Sequence, residues 1–370
     1  MMNNQTNNLF RRGIVDMGFR SFPRPLEDMK RELGLDEIIN LGLNENPLGP
    51  SPKTVRAVNE AAKQMHLYPD PGALELRSVI ALAHGVEPDQ VLQGNGASEL
   101  ISLFSEAFID NGDEMLTPEP TFHQFQDATH IMGGKNILSP LKNFRIDLDD
   151  MARKITPKTK LIILINPNNP TGDMLTKPEV EEFLARVGKE KIVIFDEAYA
   201  PYVEREKDFP DTVEFIRQGY NIVVLRSFSK AYGLAGMRVG YAISRPEFIR
   251  RMVRIRNVFN VSRLAQKAAV EAFKDKEHLQ KSVKLVWEEK KYYYREFENM
   301  GLFFYPTSSN FILVNVGVDD VKLAESMKRR GVIISPQTSN GYKGFIRVTI
   351  GTHEQNVKMI ACLKGCLAEL

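Results

Sequence analysis

Three apolar runs rich in β-branched residues punctuate the middle of the chain: LIILI at 161–165, KIVIF at 191–195 and NIVVL at 221–225. Each gives way to an unusual polar segment, NPNNPTG, DEAY and SFSK respectively. They recur about every thirty residues, the length of a βαβ unit, which predicts a mostly parallel sheet with crossover helices. The helix after the first run is well marked. Thr176 and Glu179 form a capping box, Pro178 sits in the first turn where its missing N–H costs little, and Gly188 is placed to stop it. Upstream, ASELISLFSEAFID at 97–110 has helical apolar spacing behind the glycine-containing QGNG, the pattern of a strand, a tight loop and an anion-binding helix N-terminus.

Downstream of about residue 265 the pattern changes to amphipathic helices, among them VWEEKKYYYREFENMG ending at Gly301, alternating with short strands such as FILVNV and IRVTI. This predicts a second, smaller α/β unit. The expected division is a flexible arm at 1–18, a large domain at 49–265, and a small domain built from 19–48 together with 266–370.

Composition changes this picture little. The 370 residues exceed what one core usually serves, and the 43% hydrophobic and 26% charged fractions are ordinary for a globular protein. With 49 basic against 47 acidic residues, the net charge of +2 offers no broad footprint for nucleic acid or an anionic membrane. The basic cluster RRMVRIR at 250–256 interleaves its charges with apolar residues at helical spacing, as a solvated helix face does. Cys362 and Cys366 stand without histidine companions, so no metal site is expected and a reducing compartment is. The polar N-terminus resembles no signal peptide and the apolar runs are too short to span a bilayer, so a cytoplasmic location is expected.

The polar residues after the strands carry the chemistry. In an open parallel sheet, ligands bind beyond the carboxyl ends of the strands, where this chain places Asn169, then Asp196 with Tyr199, then Ser227, Ser229 and Lys230. Each alone has a plain explanation as turn former, helix cap or surface lysine. Together they match what pyridoxal phosphate requires. A confined lysine loses its proton readily and can form a Schiff base, which is Lys230. Asp196 would pair with the ring nitrogen, and that cation would compensate a carboxylate whose unpaired burial would cost several kcal/mol. Asn169 and Tyr199 offer an amide N–H and a hydroxyl to the ring's phenolate oxygen. Ser98, Ser227, Ser229 and Arg238, with the backbone N–H groups of Ala97 and Ser98, suit the phosphate. Phe122 can stack on the ring or serve as a core aromatic. Competing phosphate motifs fail: Glu99 occupies the place of the third glycine of a dinucleotide fingerprint, and no P-loop motif occurs.

These segments, with the late IRVTIGT, resemble the fold-type I pyridoxal phosphate aminotransferases of classes I and II, in the expected order from about residue 20 to the end of the chain. LNENPLGPSP (43–52), YPDP (68–71), GNGASELI (94–101) and EPTFHQF are similar to the histidinol-phosphate aminotransferase group. The resemblance implies an α/β fold with a large domain, its mostly parallel mixed sheet flanked by helices, and a smaller α/β domain. It implies that Lys230 carries the cofactor and shuttles the proton, that Asp196 and Tyr199 complete the catalytic set, and that Tyr68 reaches the cofactor phosphate of a neighbouring subunit, hence a homodimer. Arg347 would receive the substrate's anion, with Asn46 and Arg20 as further substrate contacts. The implied reaction joins histidinol phosphate and 2-oxoglutarate to imidazole-acetol phosphate and glutamate, in histidine biosynthesis. An aromatic aminotransferase and an amino-acid phosphate decarboxylase are the alternatives. This chain departs from the group at two positions: Ser335 stands where a second anion-binding arginine is usual, and Arg20 where a tyrosine is.

Overall fold

The computed structural model describes residues 9–15, 17–18, 24–203, 206 and 208–370. Its central feature is a seven-stranded mixed sheet. The strands run in the order Val91–Gly94, Gly240–Ile243, Asn221–Ser227, Ile192–Asp196, Thr159–Ile165, Glu114–Glu119, Lys135–Pro140. Gly240–Ile243 runs opposite to the other six strands. The three apolar runs of the sequence lie in its middle, and their alternate residues feed two different cores. Ile162, Leu164, Val193, Phe195, Ile222 and Val224 face one helical layer, and Leu161, Ile163, Ile165, Ile194, Val223 and Leu225 the other. A sheet covered on both faces leaves no position for polar alternation, which is why these strands read as continuous apolar runs.

The capping box at Thr176 and Glu179 starts the helix Lys177–Val187, and Gly188 closes it with φ 76°. The helix Gly96–Phe108 follows the strand Val91–Gly94 through Asn95 alone.

A second, four-stranded antiparallel sheet has the order Ser335–Pro336, Phe345–Thr349, Phe311–Asn315, Phe304–Tyr305. The helices Lys276–Asn299, Asp320–Arg329 and His353–Leu367 bury Val286, Tyr293, Phe297, Leu323, Met327, Met359 and Leu363 in one core with it. The N-terminal segment joins this unit through Ile39–Asn40, which pairs in parallel with Val332–Ile333. The helix Arg263–Lys274 differs from the sequence expectation, which gave residues from 266 onward to the small unit. Its Ala268, Ala269, Val270, Ala272 and Phe273 pack into the core of the large sheet. Small side chains on one face let it lie close against the helix Pro52–Ala62.

Candidate active site

The parallel strands all present their carboxyl ends to one edge of the large sheet, and the reversed strand begins there. The loops at that edge enclose a cavity of about 430 Å³ lined by Ala97, Ser98, Phe122, Asn169, Asp196, Tyr199, Ser227, Ser229, Lys230 and Arg238. Every one of these was singled out in the sequence. Leu43 and Glu45 reach in from the N-terminal segment.

Lys230 is held at the centre. Its Nζ donates to the Leu43 carbonyl at 3.0 Å and lies 5.7 Å from the centre of the Tyr199 ring. Burial, helped by the nearby Arg347 charge, pulls its ammonium down to about 8. Asp196, at the last position of its strand, accepts from the Ala198 N–H at 3.1 Å, and burial pushes its carboxyl up to about 7. Lys230 opposes that rise, but less strongly than desolvation drives it.

Two neighbours fix which way the cavity's neutral donors point. Arg347 Nη1 donates to Asn169 Oδ1 at 2.7 Å, so the amide nitrogen of Asn169 is the end left for a ligand. Asn44 Nδ2 donates to the Tyr199 hydroxyl at 3.0 Å, which leaves that hydroxyl's hydrogen free to donate in turn. Sequence reasoning missed Asn44. Its left-handed backbone, φ 56°, was foreshadowed only by the tolerance of asparagine for that region.

The corner formed by Ser227, Ser229 and Arg238 depends on close backbone approach. Arg238 donates through Nη1 to the Ala235 carbonyl at 2.9 Å, with Ser229 Oγ at 3.5 Å, and Ser229 N–H donates to Ser227 Oγ at 3.1 Å. A Cβ on Gly96 would lie 2.6 Å from Arg238 Nη2, and one on Gly240 would lie 2.8 Å from the Ala97 nitrogen. These two glycines let the guanidinium and the helix N-terminus share one small volume. The N–H groups of the helix's first turn have no partner within it.

A second cavity, about 310 Å³, opens from the first across Leu43, Phe122, Asn169 and Lys230, and is lined further by Asn44, Thr121, His123, Pro170, Ser335, Asn340 and Arg347. Arg347 arrives from the small sheet. Besides Asn169 it donates through Nη2 to the Gly42 carbonyl at 2.7 Å, and its buried Nε has no hydrogen-bond partner. A guanidinium tied only to neutral acceptors is ready for an anion.

Two expected residues are not brought to these cavities. Asn46 is buried behind the loop, with Nδ2 donating to the Ala231 carbonyl and to Ser282 Oγ at 2.9 and 2.8 Å, and Oδ1 accepting from Leu48 N–H at 3.0 Å. Its amide is consumed in holding the segment that presents Leu43 and Glu45. Tyr68 is 77% exposed and stacks on Phe259 with ring centres 4.5 Å apart, away from this chain's cavities. Arg20 lies outside the described residues. The described residues hold no cluster of His, Cys, Asp or Glu fit for a metal, and no helix among them is long and apolar enough to cross a membrane.

Comparison with known proteins accords with this geometry. A family described as "Aminotransferase class I and II" matches residues 36–362. Histidinol-phosphate aminotransferase of Moorella thermoacetica is 43% identical over 346 residues, covering 93% of this chain and 89% of that protein. Histidinol-phosphate aminotransferase 2 of Carboxydothermus hydrogenoformans is 42% identical over 344 residues, with 93% and 95% covered. Among solved structures, the histidinol-phosphate aminotransferase of Sinorhizobium meliloti in complex with pyridoxal-5'-phosphate superposes with a TM-score of 0.86 at 26% identity, covering 97% of this chain and 98% of that one. Its strand ends, its buried lysine and its extended likeness to these enzymes agree: the chain belongs to the class I and II aminotransferase family.

Proposed function

We propose that the chain is a pyridoxal phosphate-dependent histidinol-phosphate aminotransferase, passing the amino group of histidinol phosphate to 2-oxoglutarate. The observation that carries the cofactor is the pairing, in one cavity, of a buried lysine lowered to about 8 with a buried carboxyl raised to about 7. The first is an amine ready to condense with an aldehyde. The second is a carboxylate whose charge this chain leaves poorly compensated, as a site for a cationic ring nitrogen would. The names borne by the 43% and 42% identical relatives support the substrate.

On this reading Asp196 holds the ring nitrogen, the Asn169 amide and Tyr199 hydroxyl hold the phenolate oxygen, and Phe122 covers a ring face. Ser227, Ser229, Arg238 and the N–H groups of Ala97 and Ser98 hold the phosphate, with Ser98 adding its hydroxyl. When bound, the cofactor supplies an electron sink for the carbanion at the substrate Cα. Lys230 does the rest of the acid–base work. Its Nζ, neutral above about pH 8 because burial disfavours its charge, would take the proton from the substrate Cα and hold it for return during the amino transfer. Arg347 receives the substrate's anion beside it and so orients the Cα–H bond. Leu43 and Phe122 narrow the passage between the two cavities and limit water around the reacting carbon.

The exposed Tyr68 fits a role in the phosphate corner of a partner subunit, so a homodimer with shared sites is part of the proposal, as is a cytoplasmic location. The large and small sheets would act as two lobes, with the boundary moved to Asp275, where the helix Arg263–Lys274 ends; of the arm expected at 1–18, residues 1–8 and 16 lie outside the described residues.

Purified protein supplied with histidinol phosphate and 2-oxoglutarate should form glutamate at a rate that saturates in both. Absence of turnover, with rapid turnover of phenylalanine or tyrosine, would reassign the donor to an aromatic amino acid. The neutral side chains of Ser335 and Asn340 in the second cavity favour that second reading.

A further inference from the structure

The second cavity contains an arrangement that the proposed reaction has not used. Ser335 and Arg347 are direct partners in an antiparallel ladder, so their side chains leave the same face of the small sheet, and both line the cavity. Behind Ser335 lies Gln337, fully buried. Gln337 Nε2 donates to Ser335 Oγ at 2.9 Å, and its Oε1 accepts from Asn340 Nδ2 at 2.8 Å. The backbone N–H of Gln337 is held in turn by Asp320 Oδ2 at 2.8 Å, a buried carboxylate that also accepts from Thr338 N–H at 2.8 Å. The Gln337 amide is held by its own contacts as well, its Nε2 lying 3.1 Å from the Ser335 carbonyl. Because Ser335 Oγ already accepts a hydrogen bond from it, the hydroxyl's own hydrogen is the group left to donate.

We infer that Ser335, set by Gln337, is a specificity-determining residue whose hydroxyl shares with Arg347 the anionic group of the substrate bound at this end of the cavity. Among the described residues that line this cavity Arg347 is the one guanidinium, with Lys230 and His123 as the other basic side chains. Its two terminal nitrogens rest on neutral oxygens, its Nε is unpartnered, and the wall beside it is amide and hydroxyl. Such a wall suits one phosphate or carboxylate oxygen accepting from serine while its neighbours accept from arginine. This inference rests on the aminotransferase reading and names how its substrate's anion is recognised.

The test compares wild type, Ser335→Ala and Ser335→Thr on three amino donors: histidinol phosphate, its uncharged analogue histidinol, and glutamate. A hydrogen bond to a charged group is worth roughly ten-fold or more in affinity. Ser335→Ala should raise KM for histidinol phosphate by about ten-fold with a smaller change in kcat. Its loss on histidinol should be several-fold smaller, and Ser335→Thr, which keeps the hydroxyl, should recover most of the loss. Equal losses on the charged and uncharged donors, or no loss on either, would overturn the inference. Wild-type turnover of glutamate without turnover of histidinol phosphate would sink the substrate reading instead. In that event the KM of Ser335→Ala for glutamate still decides the matter: a rise of the same size sustains the role of Ser335, and an unaltered KM ends it.

Discussion

Arg347, on the small sheet, donates to the Oδ1 of Asn169, which follows the large-sheet strand Thr159–Ile165, across 2.7 Å. One contact thus couples the residue proposed to receive the substrate with one proposed to hold the cofactor. Arg347→Lys supplies a charge but not two rigidly spaced donors, so it cannot serve Asn169, Gly42 and an anion together. We expect KM for 2-oxoglutarate to rise by about 10–100-fold, the loss of a charge-assisted bidentate contact. The cofactor's absorbance should shift as well, since Asn169 loses its orienting partner. Steady-state kinetics and an absorption spectrum check both.

Lys230 should reveal itself through pH. A buried ammonium lowered to about 8 becomes nucleophilic well below the usual lysine range, 10.5 in its unperturbed state. The rate at which cofactor-free protein captures pyridoxal phosphate should therefore climb with pH and level off above about 8. Lys230→Ala should fold, bind some cofactor without covalent attachment, and lose at least about 10²–10⁴-fold in turnover, the scale of a missing general acid–base. Borohydride reduction followed by mass spectrometry of the labelled peptide would show whether the attachment point is this lysine.

Asp196 makes a prediction of opposite sign. Its carboxyl, raised from 3.8 to about 7 by burial, keeps its proton in the folded state over a range where the unfolded chain has released it. The unfolded state then binds fewer protons, so the cofactor-free protein should lose stability as pH rises from roughly 4 to 7. A cationic ring nitrogen reverses this by favouring the carboxylate. The melting temperature gained on adding cofactor should hence grow between pH 5 and pH 8, and Asp196→Asn should flatten both trends. Calorimetry of the two forms across that range would show it.

How much of this was legible beforehand depended on whether burial left a pattern. The strands at 161–165, 191–195 and 221–225 were readable because both of their faces are covered. Lys135–Pro140, at the sheet's edge, and the four-residue Val91–Gly94 carry no such run. The cavity residues were readable because their chemistry is unusual for strand ends. Asn44 and Asn46 were not distinguishable, being the same residue type on either side of Glu45. What separates them is the backbone at Asn44, pinned by its N–H to Thr349 Oγ1 at 2.9 Å, while Asn46 is drawn to Ala231 and Ser282. Those partners lie far away in sequence, so no local signal could have chosen between the two.

The phosphate corner should be sensitive to a single methyl group. Gly96 has φ 73°, a left-handed conformation costly for alanine, and an added Cβ would stand 2.6 Å from Arg238 Nη2. Gly96→Ala should displace the guanidinium and weaken cofactor binding by about ten-fold or more, since a charge-assisted contact is lost. Substrate KM should change far less, because Arg347 lies in the other cavity. Cofactor titration at fixed substrate would separate the two effects.

Beneath the site, Glu197 and Arg226 link adjacent strands. Glu197 is fully buried; its Oε2 pairs with Arg226 Nη2 at 2.7 Å, and its Oε1 accepts from Thr212 Oγ1 at 2.5 Å. Arg226→Met would remove a paired cation from that buried carboxylate, and breaking a buried ion pair typically costs about 3–5 kcal/mol. The change should also reach the chemistry, because Glu197 is one of the charges that push Asp196 upward. Adding Glu197→Gln to Arg226→Met removes the buried charge whose pair was broken and should restore part of the stability. Urea denaturation of the single and double variants measures this directly: a double variant no more stable than Arg226→Met would mean that the arginine acts through its packing and not through the buried carboxylate.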